Sequence, residues 1–197
     1  MLVFGHVGLT LGAAAAVDCM YTTVRKTIER PNAPGLTRPP FLAILPKRVD
    51  LRILLAGSLL PDAIDKPLGI YILGNTIGNG RIFSHSLLFL FLCIIIGALV
   101  FWRWRRTWGL VLAFGTFTHL VFDSMWTSTQ ALYWPFTGAT FPKDNTSHWL
   151  EDVAHNLVTK SKFYVPEIAG IIILLAFLVI VLKRKSLGAL IRTGKVL

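Results

Sequence analysis

The sequence predicts an all-α integral membrane protein of four to six transmembrane or half-inserted helices, with a metal site at the membrane interface. Three observations carry the membrane part. Apolar residues make up 54% of the 197 and charged residues only 15%, against about 25% charged in an ordinary soluble domain. The mean hydropathy is +0.62. The twenty Lys and Arg residues stand in blocks between long apolar runs, which is how membrane proteins distribute them. The net charge of +10 is therefore not the basic patch of a nucleic-acid partner, and no nucleic acid is expected. Disorder, coiled coil and most soluble enzymes are excluded on the same grounds. The length suits a single membrane-embedded domain, 1–197.

A helix needs about 20 mostly apolar residues to cross a bilayer, and four runs approach that. Leu2 to Val17 contains no ionisable residue but His6, and residues 1–10 lack the Lys or Arg that opens a secretory signal. It reads as a retained membrane helix. A Pro-rich cytoplasmic loop follows, about 30–48, in which RPNAPGLTRPP cannot be helical throughout. Val49 to Leu60 is weaker and leads into PDAID, as a short or half-inserted helix that Pro61 stops. Leu87 to Trp102 is the clearest span, and Thr107 to Phe122 is the third. A loop over 127–165 holds WPF and FPKD turns and the amphipathic SHWLEDVAHNLV, and Ile168 to Leu182 is the fourth run. Each run reaches spanning length only with its polar flanks. Cys19 and Cys93 lie in apolar or small-residue runs with no CxxC pair, so neither a disulfide framework nor a zinc ribbon is indicated.

The basic residues orient the chain. Seven fall in 21–52, three in the WRWRR connection and five in the C-terminal tail, leaving five for the opposite loops. Because cytoplasmic loops are rich in Lys and Arg, the N-terminus is expected outside and the C-terminus in the cytoplasm.

That orientation gathers the polar residues that a membrane segment tolerates only for a reason. His6 opens the first helix outside. Asp62 and Asp65 follow the short helix as it returns outside, His85 precedes the second span, and His119 and Asp123 end the third. All six belong to the outer face, although the bias that places them uses no His or Asp. HLVFD sets His119 and Asp123 one helical turn apart on one face, as the HExxH helix sets its zinc ligands. The same pair also fits an Asp that simply holds a His in a bundle interior. Asp62 and Asp65 fit a helix-ending turn with Asp65 paired to Lys66, Ser84 of SHS fits an N-cap, and Arg81 fits an interfacial anchor. Taken together, three His and three Asp suit Zn, Mn or Fe and are too histidine-rich for Mg or Ca. Six ligands exceed one tetrahedral zinc, so one or two divalent ions are expected, some of the six orienting the others. A serine nucleophile is disfavoured because no GxSxG elbow occurs. His148 and Asp152, one turn apart in the outer loop, are possible additional ligands, or else part of a solvated helix face.

The ordered motifs GHVGLTLG, GSLLPDAID, RIFSHSLL and HLVFDSMWT, with WPF downstream, resemble the YdjM-like family of predicted membrane-bound metal-dependent hydrolases. The resemblance covers His6 to about Phe136. It implies His6, Asp62, Asp65, His85, His119 and Asp123 as metal ligands, and Arg81 in the place of the basic residue before the family's THS-type motif. The family often carries His directly before that Arg, where this chain has Gly80 preceded by Asn79. The His, Asp, His, HxxxD order is also similar, more loosely, to zinc-dependent phospholipase C and its nuclease relatives.

The function expected is hydrolysis of a phosphoester, or another ester, of a membrane lipid or lipid-linked substrate by a metal-activated water at the outer face of the inner membrane. Asp62, His85, His119 and Asp123 hold the metal in this reading, His6 and Asp65 are further or bridging ligands, and Arg81 binds the phosphate through its bidentate fork. Zinc is the favoured ion. The alternative is a non-enzymatic ion, proton or metal transporter using the same residues, although transporters place such groups near the midplane between repeated halves, and no repeat is visible.

Overall fold

Lipid offers no hydrogen bonds to a backbone, so apolar runs of this length satisfy their amides as helices. The computed structural model describes residues 1–29, 49–138, 140–143 and 149–196, and among these there is no strand. The Pro-rich loop about 30–48 and His148 lie outside the described residues. The helices are α1 (Val3–Glu29), α2 (Leu51–Lys66), α3 (Leu87–Trp104), α4 (Trp108–Phe122), α5 (Thr129–Leu132), α6 (Trp149–Thr159), α7 (Ser161–Lys183) and α8 (Leu187–Thr193). Among the described residues three stretches are long and apolar enough to cross a membrane: Val3–Tyr21 of α1, α3 and α7. Helix α4 is apolar but shorter, and α2 has 16 residues.

Two local expectations are corrected. Pro61 does not stop α2, which continues through it to Lys66 and passes into a π-helical turn, Pro67–Ile72. Proline inside a helix leaves the carbonyl four residues back without its amide. Here that carbonyl, of Gly57, shares the Thr116 hydroxyl of α4, which lies 3.4 Å from it and 3.2 Å from the Leu112 carbonyl, so a neighbouring helix makes good part of the loss. Asp62 and Asp65 therefore stand on a helix and not beyond its end. Ser84 is not the N-cap of α3 either. That place belongs to Ser86, whose Oγ accepts the Phe89 amide at 3.2 Å, while the Ser84 hydroxyl donates to the Pro61 carbonyl at 2.9 Å.

Helices in lipid associate by close backbone approach at small residues, and three such crossings build the bundle. In α1 and α7, Gly8 meets Gly170 and Gly5 meets Glu167, so the two run parallel. Helices α2 and α4 are also parallel, with Gly57 and Gly115 packed against each other. Helix α3 returns antiparallel to α4, with Gly97 against Gly109 at one end and Leu90 clustered with Leu120 at the other. Thr10 and Thr118 share a buried hydroxyl bond of 2.8 Å between α1 and α4. This arrangement brings the N-termini of α1, α3 and α7 and the C-termini of α2 and α4 to one end.

The opposite end is apolar inside and tied by charge outside. Leu11, Ala14, Leu51, Leu54, Val181 and Val196 form its core. Asp50 caps α2 through the Arg52 amide and pairs with the Arg52 guanidinium, which also donates to the carbonyls of Ile191 and Arg192. The guanidinium holds the Asp50 carboxyl below its ordinary pKa.

At Gly8 an added Cβ would collide with the backbone of Gly170. Gly8→Ala should therefore cost about 1–3 kcal/mol by overpacking, read as a lower melting temperature in detergent. Gly188→Ala, which meets nothing within 4 Å, should be neutral or slightly stabilising because it raises helix propensity. Equal melting temperatures for the Gly8 variant and wild type would refute the close crossing.

Candidate metal centre

The polar end of the bundle is organised around the carboxylate of Asp65, which has no exposed surface. It accepts the backbone amides of Ile82 at 2.8 Å, Ser84 at 3.0 Å and His85 at 3.2 Å, and His85 Nδ1 donates to it at 2.7 Å. A segment with no regular structure is thus folded onto the last turns of α2. The His85 ring is locked at one nitrogen and presents the other, Nε2, inward.

His119, on the last turn of α4, is locked in the same manner. Its Nδ1 donates to the carbonyl of Ser58 at 2.7 Å, across the α2–α4 crossing. Carboxylate and carbonyl oxygens only accept, so both Nδ1 atoms carry hydrogen, and in the neutral rings both Nε2 atoms offer lone pairs. Those two Nε2 atoms are 3.2 Å apart. Two imidazole nitrogens on one tetrahedral zinc, each at about 2.0–2.1 Å, stand about 3.3 Å apart. Asp62 Oδ1 adds an oxygen 3.6 Å from His85 Nε2 and 3.9 Å from His119 Nε2. Its other oxygen takes the Lys66 ammonium at 2.6 Å, one turn along α2. Burial opposes a charge on His85, but Asp62 and Asp65 outweigh it and raise the pKa of the ring, so a proton competes with a cation for its Nε2. The paired Nε2 atoms and the Asp62 oxygen stand where they could hold a cation.

His6 completes the histidine set. Its ring stacks on that of His119 with centroids 3.9 Å apart, and it is wholly buried. Its Nε2 lies 3.2 Å from Asp123 Oδ1, yet the geometry makes no hydrogen bond, and neither ring nitrogen has a hydrogen-bond partner. Buried polar atoms seldom stay unpaired, and a bound cation would answer the deficit. Asp123 also takes the Met1 amino group on Oδ1 and the Arg81 guanidinium on Oδ2, each at 2.7 Å.

Five of the six expected ligands thus converge. His6, Asp62 and His119 offer ligand atoms that lie within 4.8 Å of one another, as do His85, His119 and Asp123, and these groups could hold a metal ion. Asp65 belongs to neither; it stands behind His85 with both oxygens engaged. Arg81 sits beside the cluster with one nitrogen on Asp123. Asp152 is exposed on α6. At Gly80 an added Cβ would lie 3.3 Å from Ile70 Cδ1, so this segment packs close to the π-helical turn. Sequence reasoning overlooked Glu167 of α7, whose carboxylate accepts the amides of Leu2 at 2.6 Å and Gly5 at 3.0 Å. It thereby caps the helix start that carries His6. A lone carboxylate at the edge of the fourth apolar run, after Pro166, was the available signal.

Asp65→Asn should keep the bundle inserted but loosen the His85 ring. Loss of such a supporting partner typically weakens metal retention about 10–100-fold, measurable by competition with a chelator. Unchanged retention would mean that Asp65 serves only the backbone.

Residues 1–189 match the family model described as YdjM inner membrane protein. No curated protein and no solved structure matches the chain. The match spans nearly the whole chain, including every residue of the His/Asp cluster, and the chain belongs to the YdjM inner membrane protein family.

Proposed function

We propose that this protein is a membrane-bound metal-dependent hydrolase that cleaves a phosphoester, or less readily another ester, of a lipid or lipid-linked substrate. The observation that carries the reading is the pair of locked imidazoles whose Nε2 atoms face each other at 3.2 Å. The unpartnered nitrogens of His6 supply the complementary fit. His6, His85 and His119, with Asp62 and Asp123, would hold the ion, and zinc suits this nitrogen-rich set, with manganese or iron as the other candidates. A divalent ion there supplies a Lewis acid and a nucleophilic water at neutral pH.

The protein's own residues supply the rest. Asp65 holds His85 in the tautomer that ligates. Lys66 offsets part of the charge of Asp62, and Arg81 offers its free N–H groups to a phosphate while its remaining nitrogen stays on Asp123. We read α1, α2, α3, α4 and α7 as the four to six spanning or half-inserted helices, with the cluster at the outer face of the inner membrane and the C-terminus in the cytoplasm. A head group at the interface reaches such a site without leaving the bilayer. The transporter alternative is less well supported, because beyond the cluster the bundle is filled by Leu11, Ala14, Leu51, Leu54 and Val181.

Purified in mild detergent without added metal, the protein should carry about one or two equivalents of zinc, manganese or iron, as measured by elemental mass spectrometry. His119→Ala should lose them while remaining inserted. The absence of metal even after reconstitution would overturn the reading and favour a proton or ion path. Arg81→Met should retain the metal but lower kcat/KM on a phosphodiester about 10–100-fold, the worth of a charged hydrogen bond of about 1.5–3 kcal/mol. An unchanged kcat/KM would remove Arg81 from phosphate binding.

A further inference from the structure

Arg81 has a second surface. Beyond its bond to Asp123 it lines a cavity of about 390 Å³ together with Asn79, Thr127, Ser128, Thr129 and Gln130. The frame of this cavity is fixed. Asn79 Nδ2 donates to the Pro142 carbonyl at 2.7 Å, and its Oδ1 accepts the Arg81 amide at 2.8 Å, so one side chain ties two loops and aims the arginine. The Thr127 hydroxyl donates to the Ser124 carbonyl at 2.9 Å and keeps its lone pairs for an incoming donor. Among the described residues no partner takes the side chain of Ser128, Thr129 or Gln130.

The chemistry of the lining is selective. The hydroxyls of Ser128 and Thr129 and the Gln130 carboxamide both donate and accept, the Thr127 hydroxyl accepts, and the single charged group is the arginine. Among the described residues the lining holds no carboxylate and no aromatic ring. Quaternary ammonium groups are recognised by aromatic faces, and a primary ammonium needs an anionic partner when desolvated. Choline and ethanolamine find neither here. Hydroxyls find partners in Thr127, Ser128, Thr129 and Gln130.

We propose that this cavity is a subsite for the polyol portion of a phosphate ester, with the phosphate on the Arg81 guanidinium and the hydroxyl-bearing group among Thr127, Ser128, Thr129 and Gln130. The proposal rests on the phosphoesterase reading and narrows it to glycerol-type or sugar-type esters of phosphate, whether presented by a lipid or free.

The test uses the full chain, metal-loaded, in a polyoxyethylene detergent that carries no sugar. Binding of inorganic phosphate, sn-glycerol 3-phosphate and phosphocholine is followed by calorimetry. Glycerol 3-phosphate should bind more tightly than phosphocholine by about fivefold, the worth of one or two neutral hydrogen bonds. Gln130→Leu and Ser128→Ala, checked for unchanged metal content, should each shrink that ratio. Equal binding of the two esters, or a ratio that survives both substitutions, would overturn the subsite while leaving the hydrolase reading intact. If inorganic phosphate itself fails to bind, the phosphoester reading falls as well. A second arm with mixed micelles of phosphatidylglycerol or phosphatidylcholine separates the sources. Tighter binding of the phosphatidylglycerol micelles than of glycerol 3-phosphate assigns the lipid, and the reverse order assigns a soluble ester.

Discussion

The buried carboxylate of Asp65 is the constraint on which the rest of the polar end depends. One side chain on α2 accepts three backbone amides and one imidazole N–H. Without it the amides of Ile82, Ser84 and His85 would be buried with no acceptor, and each such loss costs about 1–3 kcal/mol. With it, the stretch before α3 is fastened to the end of α2, and His85 reaches the centre of the bundle at a set angle. The glycine crossings do the same for the helices themselves. His119 reaches the Ser58 carbonyl only because Gly57 and Gly115 let α2 and α4 touch backbone to backbone.

Charge and dryness are segregated along the bundle. At one end three imidazoles, three carboxylates, Arg81 and Lys66 offset one another within a small volume, and Glu167 holds the start of α1 in place. At the other, apolar side chains fill the interior and the polar ties of Asp50 and Arg52 lie outside. Ionisable groups in a membrane protein are tolerated where they face the bundle interior and pair with one another, and both conditions hold here.

Much of this was legible in the sequence because the signals were local or additive. The apolar runs marked α1, α3, α4 and α7, and HLVFD put His119 and Asp123 on one face by spacing alone. The clustering of His6, Asp62 and His85 with them followed from the alternation of runs and charged connections. What stayed hidden depended on partners distant in sequence. Pro61 reads as a helix stop until Thr116 is seen to bond the carbonyl it frees. Asp65 reads as a ligand like Asp62, and only the amides of Ile82, Ser84 and His85 reveal it as a support. Glu167 reads as the polar flank of a span until the start of α1 is packed beside it.

The geometry also bears on how many ions the cluster can serve. His119 is common to both groups of converging ligand atoms, but its Nδ1 is committed to Ser58, which leaves a single lone pair at Nε2. A nitrogen with one lone pair binds one ion, so at His119 the two groups are alternatives. Any second ion would have to be held without it, from His6, His85 and the carboxylates that remain. Those carboxylates are not equivalent. Asp62 gives one oxygen to Lys66 and keeps the other beside the paired imidazoles, whereas Asp123 already carries Arg81 and the Met1 amino group. The oxygen most available beside the paired imidazoles is therefore that of Asp62. Asp123 is better suited to link the cluster to Arg81, and through it to whatever anion the arginine receives.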